Sequence, residues 1–204
     1  MEDAGATVDP GGHADDTQGS GRDAARDEAT NRIRRAALDL FTEVGFGSAT
    51  VDQIAERAGV GIASLYRRWP DKAALANNLY SDFVVEMQQA VQPEGLAAES
   101  ELSAEEQFQA VWLRLWEFAV SDPQRLMFIE TQTYSSFMSP ESLNLKAALM
   151  DSTFELFGAL GLEIEPNVGA SMVMGTIVTV LRLEATADPE TLGRRIWAAL
   201  SATP

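Results

Sequence analysis

The stretch "AGVGIASLYRRWPDKAAL", residues 58–75, decides how the rest of the chain is read. Gly59 permits the left-handed backbone that ends one helix, a short helix over residues 62–68 follows, and Pro70 stops it. Asp71 then caps a long helix reaching towards Gln92, where Pro93 ends it. Upstream, "TVDQIAERAG" opens on Thr50 with Gln53 three residues later, a capping box, and closes at Gly59. Two short helices joined by "AGVG" must cross sharply. Ile54, Ala55, Val60 and Leu65 are spaced to pack that crossing against a preceding helix, whose Ile33, Ala37, Phe41 and Val44 recur at helical intervals before Gly45 ends it. This is a helix-turn-helix pattern, in which the second helix can lie in a DNA major groove while its neighbours brace the phosphates.

The charges agree with that reading. The chain carries a formal net charge of -16, yet residues 25–75 hold eight cations against seven acids. The flanks are anionic, with a net of -5 over residues 1–24 and -12 over residues 76–204. Phosphate binding needs cations, hydroxyls and backbone N–H groups, and Thr50, Ser64, Tyr66, Arg67, Arg68 and Lys72 gather here. Trp69 reads as a core aromatic. Arg32, Arg34 and Arg35 either solvate the first helix or reach phosphate, and Arg22 and Arg26 are candidates for a minor-groove arm.

No period-two alternation marks a strand, so the expected fold is all-α. Residues 1–25, with the sole histidine His13, read as a disordered acidic tail without the apolar stretch of a signal peptide. Residues 26–75 form a three-helix DNA-binding head, and residues 76–204 a bundle of roughly six helices for ligand binding and dimerisation. The absence of cysteine excludes disulfides and thiolate metal sites, and neither a metal nor a cofactor is expected. The longest uncharged run, residues 166–181, would span roughly 24 Å as a helix, short of a hydrocarbon core of about 30 Å. No membrane segment and a cytoplasmic location are therefore expected.

In the body, "SAEEQFQAVWLRLWEFAV" (103–120) opens with a second capping box, Ser103 and Glu106, and aligns Phe108, Trp112, Leu115 and Ala119. Leu143, Ala147, Met150, Phe154 and Phe157 form another stripe. The density of aromatic and methionine side chains suits a cavity for an apolar or aromatic small molecule. Trp112, Trp116, Phe128, Tyr134, Phe154 and Met172 are candidate walls, and Glu130 a polar anchor. The helix from Pro166 is apolar nearly all round and needs cover on two sides; Gly169, Ala170 and Gly175, with Ile196 on the last helix, are the expected homodimer contacts.

"GFGSATVDQIAERAGVGIASLYRRWPDKAAL" (45–75) resembles the DNA-binding signature of the TetR family of bacterial regulators. The resemblance rests on an aromatic after Gly45, Thr50, Ile54-Ala55, Ala58-Gly59-Val60, Leu65-Tyr66, an aromatic at Trp69, and Lys72 before Leu75. It covers residues 28–75. It implies a homodimer that binds a palindromic double-stranded DNA operator and releases it when a small hydrophobic ligand binds. By position, Thr50 and Tyr66 would touch phosphate, Ile62, Ala63 and Ser64 would face base edges, and Lys72 would sit near the backbone. Gly61 departs from the commoner Ser or Thr, and Ile62 can meet a thymine methyl but not hydrogen-bond a guanine, so Gln53 or Arg67 would supplement readout. Two other readings stay open. One is an activator or atypical family member. The other is an all-helical enzyme using Glu117, Glu130 or Glu155 as acid-base groups.

Overall fold

The computed structural model describes residues 16–91, 102–132 and 137–202, without the side chains of residues 16–20, 22 and 132. Among the described residues ten helices follow one another: α1 (Asp16–Glu43), α2 (Gly45–Ser48), α3 (Val51–Ala58), α4 (Ile62–Tyr66), α5 (Lys72–Val91), α6 (Ala104–Ser121), α7 (Pro123–Gln132), α8 (Pro140–Ala159), α9 (Pro166–Arg182) and α10 (Pro189–Leu200). No strand occurs among the described residues. Apart from the single turn of α2, the order is three helices in the head and six in the body.

Local chemistry sets the boundaries. The Thr50 side chain accepts from the Gln53 backbone N–H while the Gln53 amide oxygen accepts from Thr50, and Ser103 and Glu106 repeat the arrangement before α6. Gly59, at φ 64°, closes α3 with its N–H on Glu56 and that of Val60 on Ala55, a Schellman motif. Asp71 caps α5 by accepting from the Ala74 N–H at 2.7 Å. In α1 the helix begins at Asp16, so residues 16–25 are helical where a disordered tail was expected; residues 1–15 lie outside the described residues. Val44, expected on the α1 stripe, is exposed because α1 ends at Glu43 and Val44 turns the chain into α2.

Ile33, Ala37 and Phe41 of α1, Ile54 and Leu65 of the head, and Leu79, Phe83 and Phe128 of the body belong to one continuous apolar cluster. The α6 stripe is buried as its spacing predicts. The α8 stripe is only partly so. Phe157 is buried as expected and Met150 is half-buried, but Leu143, Ala147 and Phe154 face solvent, and α8 also turns Leu145, Leu149 and Leu156 inward, about one residue out of register. Apolar residues occur on both sides of α8, and the inward side carries the polar Ser142, Lys146 and Thr153, so hydrophobicity alone picks the wrong face.

Two glycines are required by close approach. A Cβ on Gly169 would meet the Phe157 ring at 2.1 Å, and one on Gly193 would meet the Trp112 ring at 2.6 Å. Trp112 cannot retreat: it is buried and its indole N–H donates to the Pro189 carbonyl at 2.7 Å. Gly193→Ala should therefore lower stability by about 1–3 kcal/mol through overpacking. Gly158→Ala, with open space around it, should hold or raise stability by up to about 1 kcal/mol. Thermal denaturation of both variants checks this, and equal melting temperatures would refute the packing argument.

Candidate nucleic-acid interface and ligand cavity

The helix-turn-helix leaves a mixed face open. Leu65 is buried beneath α4, whereas Ile62, Ala63, Tyr66 and Arg67 are exposed, with Tyr66 at 50%. Ser64 is half-buried and its hydroxyl accepts from Arg67 at 3.3 Å. Thr50 and Gln53 flank this face, exposed but mutually bonded through the capping box. Gly61 begins α4 without any side-chain cap.

The cations divide into two groups. Arg34 pairs with Asp82, Arg35 with Asp122 and Asp39, Arg57 with Glu43, and Arg32 with Glu28. The Arg32, Arg34 and Arg35 triplet is thus directed to acids of the chain itself. Arg68 and Lys72 use neutral acceptors. Arg68 donates to the Thr30 hydroxyl at 2.6 Å and to the Ser64 and Arg26 carbonyls at 2.8 Å. Desolvation, then the neighbouring Arg67 and Arg26 charges, lowers its pKa. Lys72 donates to the Phe46 and Ala49 carbonyls at 2.5 and 2.6 Å and lies 4.3 Å from the Phe46 ring centre, with desolvation holding its ammonium below the usual lysine value. Lys72 is therefore a strut tying the loop before α3 to the start of α5. Trp69 is buried, its indole N–H on Asn78, as a core residue should be.

In the body, α5, α6, α7, α8 and α9 enclose a cavity of about 410 Å³. Of the expected wall residues, Trp112 and Glu130 line it. Trp116 and Met172 are half-buried and absent from its lining, and Phe154 faces solvent. Phe128 is wholly buried in the core, between Phe41 at 5.9 Å and Phe83 at 6.1 Å between ring centres. Tyr134 lies outside the described residues. The walls missed are mainly those of α5 and α8: Tyr80, Met87, Leu149, Thr153 and Phe157. Tyr80, Met87 and Val91 do recur at helical spacing, a signal the sequence carries. Glu130 is partly buried, and desolvation raises its pKa, offset in part by Arg182.

The expected dimer contacts separate likewise. Gly169 is occupied by Phe157 within the chain, Ala170 lines the cavity, and Ile196 is half-buried against the core. Gly175 is exposed with open space above it. It shares the outer face of α9 with Val168, Thr179 and Arg182, while Ser171 beside them reaches the cavity rim. Among the described residues no group of three potential metal ligands occurs, and no helix is long and apolar enough to cross a membrane.

The molecule is thus a compact helix-turn-helix head on an all-helical body that holds a partly open cavity. Residues 33–79 match the family of bacterial regulatory proteins, tetR family, so the head carries that family's DNA-binding segment. A 57-residue segment is 51% identical to the "Uncharacterized HTH-type transcriptional regulator YdeS" of Bacillus subtilis, covering 28% of this chain and 29% of the relative. A 70-residue segment is 31% identical to an HTH-type regulator of Mycobacterium tuberculosis, covering 34% and 37% respectively. The chain thus spans well under half of the length of these curated relatives. Over the whole fold, a TetR-like regulator from Rhodococcus sp. RHA1 superimposes with a TM-score of 0.68 at 19% identity, over 86% of this chain and 97% of that one. The regulator FadR of Bacillus subtilis, solved with stearoyl-CoA, gives 0.59 at 18%, over 85% and 98%. These relatives are transcription regulators and not enzymes.

If Lys72 acts as a strut, Lys72→Met removes a charged donor from two carbonyls and should lower stability by about 1–3 kcal/mol. Chemical denaturation measures it. An unchanged midpoint would show that the ammonium is not holding the head together.

Proposed function

We propose that the protein is a dimeric transcriptional repressor that grips a palindromic operator through α4 and releases it when an apolar ligand enters the cavity. The observation carrying the DNA reading is the sorting of cations. Arg67, Arg68 and Lys72, none paired with a carboxylate among the described residues, cluster beside the open face of α4. Paired arginines lie elsewhere. Uncompensated charge next to Tyr66 and Ser64 suits phosphate, while Ile62 and Ala63 suit thymine methyls. Thr50 and Gln53 flank the same surface. A cytoplasmic location follows from an operator in chromosomal DNA.

Support for the switch comes from α7. Ile129 and Glu130 line the cavity, and the adjacent Phe128 stacks on Phe41 of α1. Phe41 in turn lies 5.5 Å from Phe46, whose carbonyl holds Lys72. A ligand that moves α7 would thereby tilt the head and spoil the spacing of two recognition helices about 34–36 Å apart. Release requires unequal ligand affinity for the two states, by about 5.5 kcal/mol for a near-complete switch. The stearoyl-CoA complex of a protein with this fold supports an apolar occupant. The exposed face of α9 around Gly175 supports a second copy as its cover.

Gel-shift titration with DNA flanking the protein's own gene tests the reading. Arg67→Ala should weaken binding and reduce the salt-dependence slope by about one per head. Tyr66→Phe should weaken it by a smaller factor, about twofold to tenfold, for one lost phosphate hydrogen bond. Unchanged affinity in both variants, or no shift at low salt with any flanking fragment, would overturn it.

A further inference from the structure

Glu130 is an unexplained carboxyl. It projects from α7 into a cavity otherwise walled mainly by apolar and aromatic side chains, and it makes no hydrogen bond or ion pair with any described residue. The charged groups around it do not fill that role. Arg182, on α9, acts on it without forming an ion pair. Lys146, on α8, also lines the cavity but is engaged in an interaction of its own. On the elements packed against α7, Arg35 of α1 and Glu86 of α5 are joined with Asp122 and Arg125 in one network of ion pairs, and Arg114 of α6 is engaged elsewhere. A carboxylate partly buried in an apolar wall and without an ion-pair partner is destabilised, and a ligand of opposite charge would compensate it.

Resting on the cavity reading above, we infer that the ligand is a lipophilic cation, its charge held by Glu130 and its apolar body by the rings of Tyr80, Phe108, Trp112 and Phe157. Aromatic faces attract a cation as well as covering hydrocarbon, so one wall serves both parts of such a molecule. A volume of about 410 Å³ admits a single molecule of drug-like size. An anionic head would meet repulsion from ionised Glu130, and a neutral one would leave the carboxyl uncompensated. Desolvation raises the Glu130 pKa. A cation favours the ionised form, so its affinity should fall as pH drops through the range where Glu130 takes up a proton.

Calorimetric titration with decyltrimethylammonium, decanol and decanoate separates the cases, because the three share a chain and differ in head charge. The permanent cation should bind wild-type protein most tightly and weaken as pH falls through the range, raised above the usual carboxylate range, where Glu130 takes up a proton. Glu130→Gln should reduce its affinity by about tenfold or more and flatten that pH response, while decanol binding is retained or strengthened, which certifies an intact cavity. Tightest binding by decanoate, or an unaltered cation affinity in Glu130→Gln, overturns the inference and leaves the cavity reading standing. Binding by none of the three overturns both.

Discussion

The ring of Phe41 stacks on Phe128 at an interplanar angle of 20°, and this contact between the first helix and the seventh fixes head to body. Helix α1 is buried on two sides, against α3 in the head and against α5 and α7 in the body. The polypeptide also crosses from head to body inside α5, which runs unbroken from Lys72 to Val91. Domains joined by exposed linkers move independently by default. Here no physical gap accompanies the crossing from head to body. Orientation of α4 is accordingly a property of body packing, which is the condition a ligand-controlled head needs.

Electrostatics follows from the same packing. Arg34 reaches Asp82, and Arg35 reaches Asp122, so two cations of α1 serve as latches onto the acidic body. Their charge is cancelled locally. Arg68 and Lys72 are also tied down, but to carbonyls and a hydroxyl, which hold the side chains without neutralising them. The head's positive field is thus concentrated at α4 and its flanks although cations are spread along the whole segment. A body with twelve excess acids keeps a polyanion from approaching elsewhere.

This division explains what the sequence made legible. Thr50 with Gln53, Gly59, Asp71 and the prolines act on backbone groups within a few residues, so caps and helix order were readable directly. The use of Arg34, Arg35 and Lys72 depended on partners 23 to 87 residues away and was not. The cavity was harder still. Trp112 and Glu130 were anticipated, yet Phe128 went to the core and the α8 face was misplaced, because an inward surface that lines a cavity tolerates Lys146 and Thr153. A hydrophobic stripe identifies a packed interior better than a binding wall.

The unequal packing of the helices bears on how such a switch would be built. Helix α5 buries seven residues, from Leu75 to Met87, whereas α8 buries only Ser142 and Phe157 and α9 only Gly169 and Ile177. Helices with few buried contacts open at lower free energy, and those two form one wall of the cavity. A ligand filling that space would add its contacts where the fold has fewest, so its binding energy would act first on the α8–α9 layer. The exposed Gly175 lies on that same layer, so a subunit contact there would share α9 with the ligand. The densely packed α1–α5–α7 core then has no need to deform: moved as a unit by the layer beside it, it would carry α4 along.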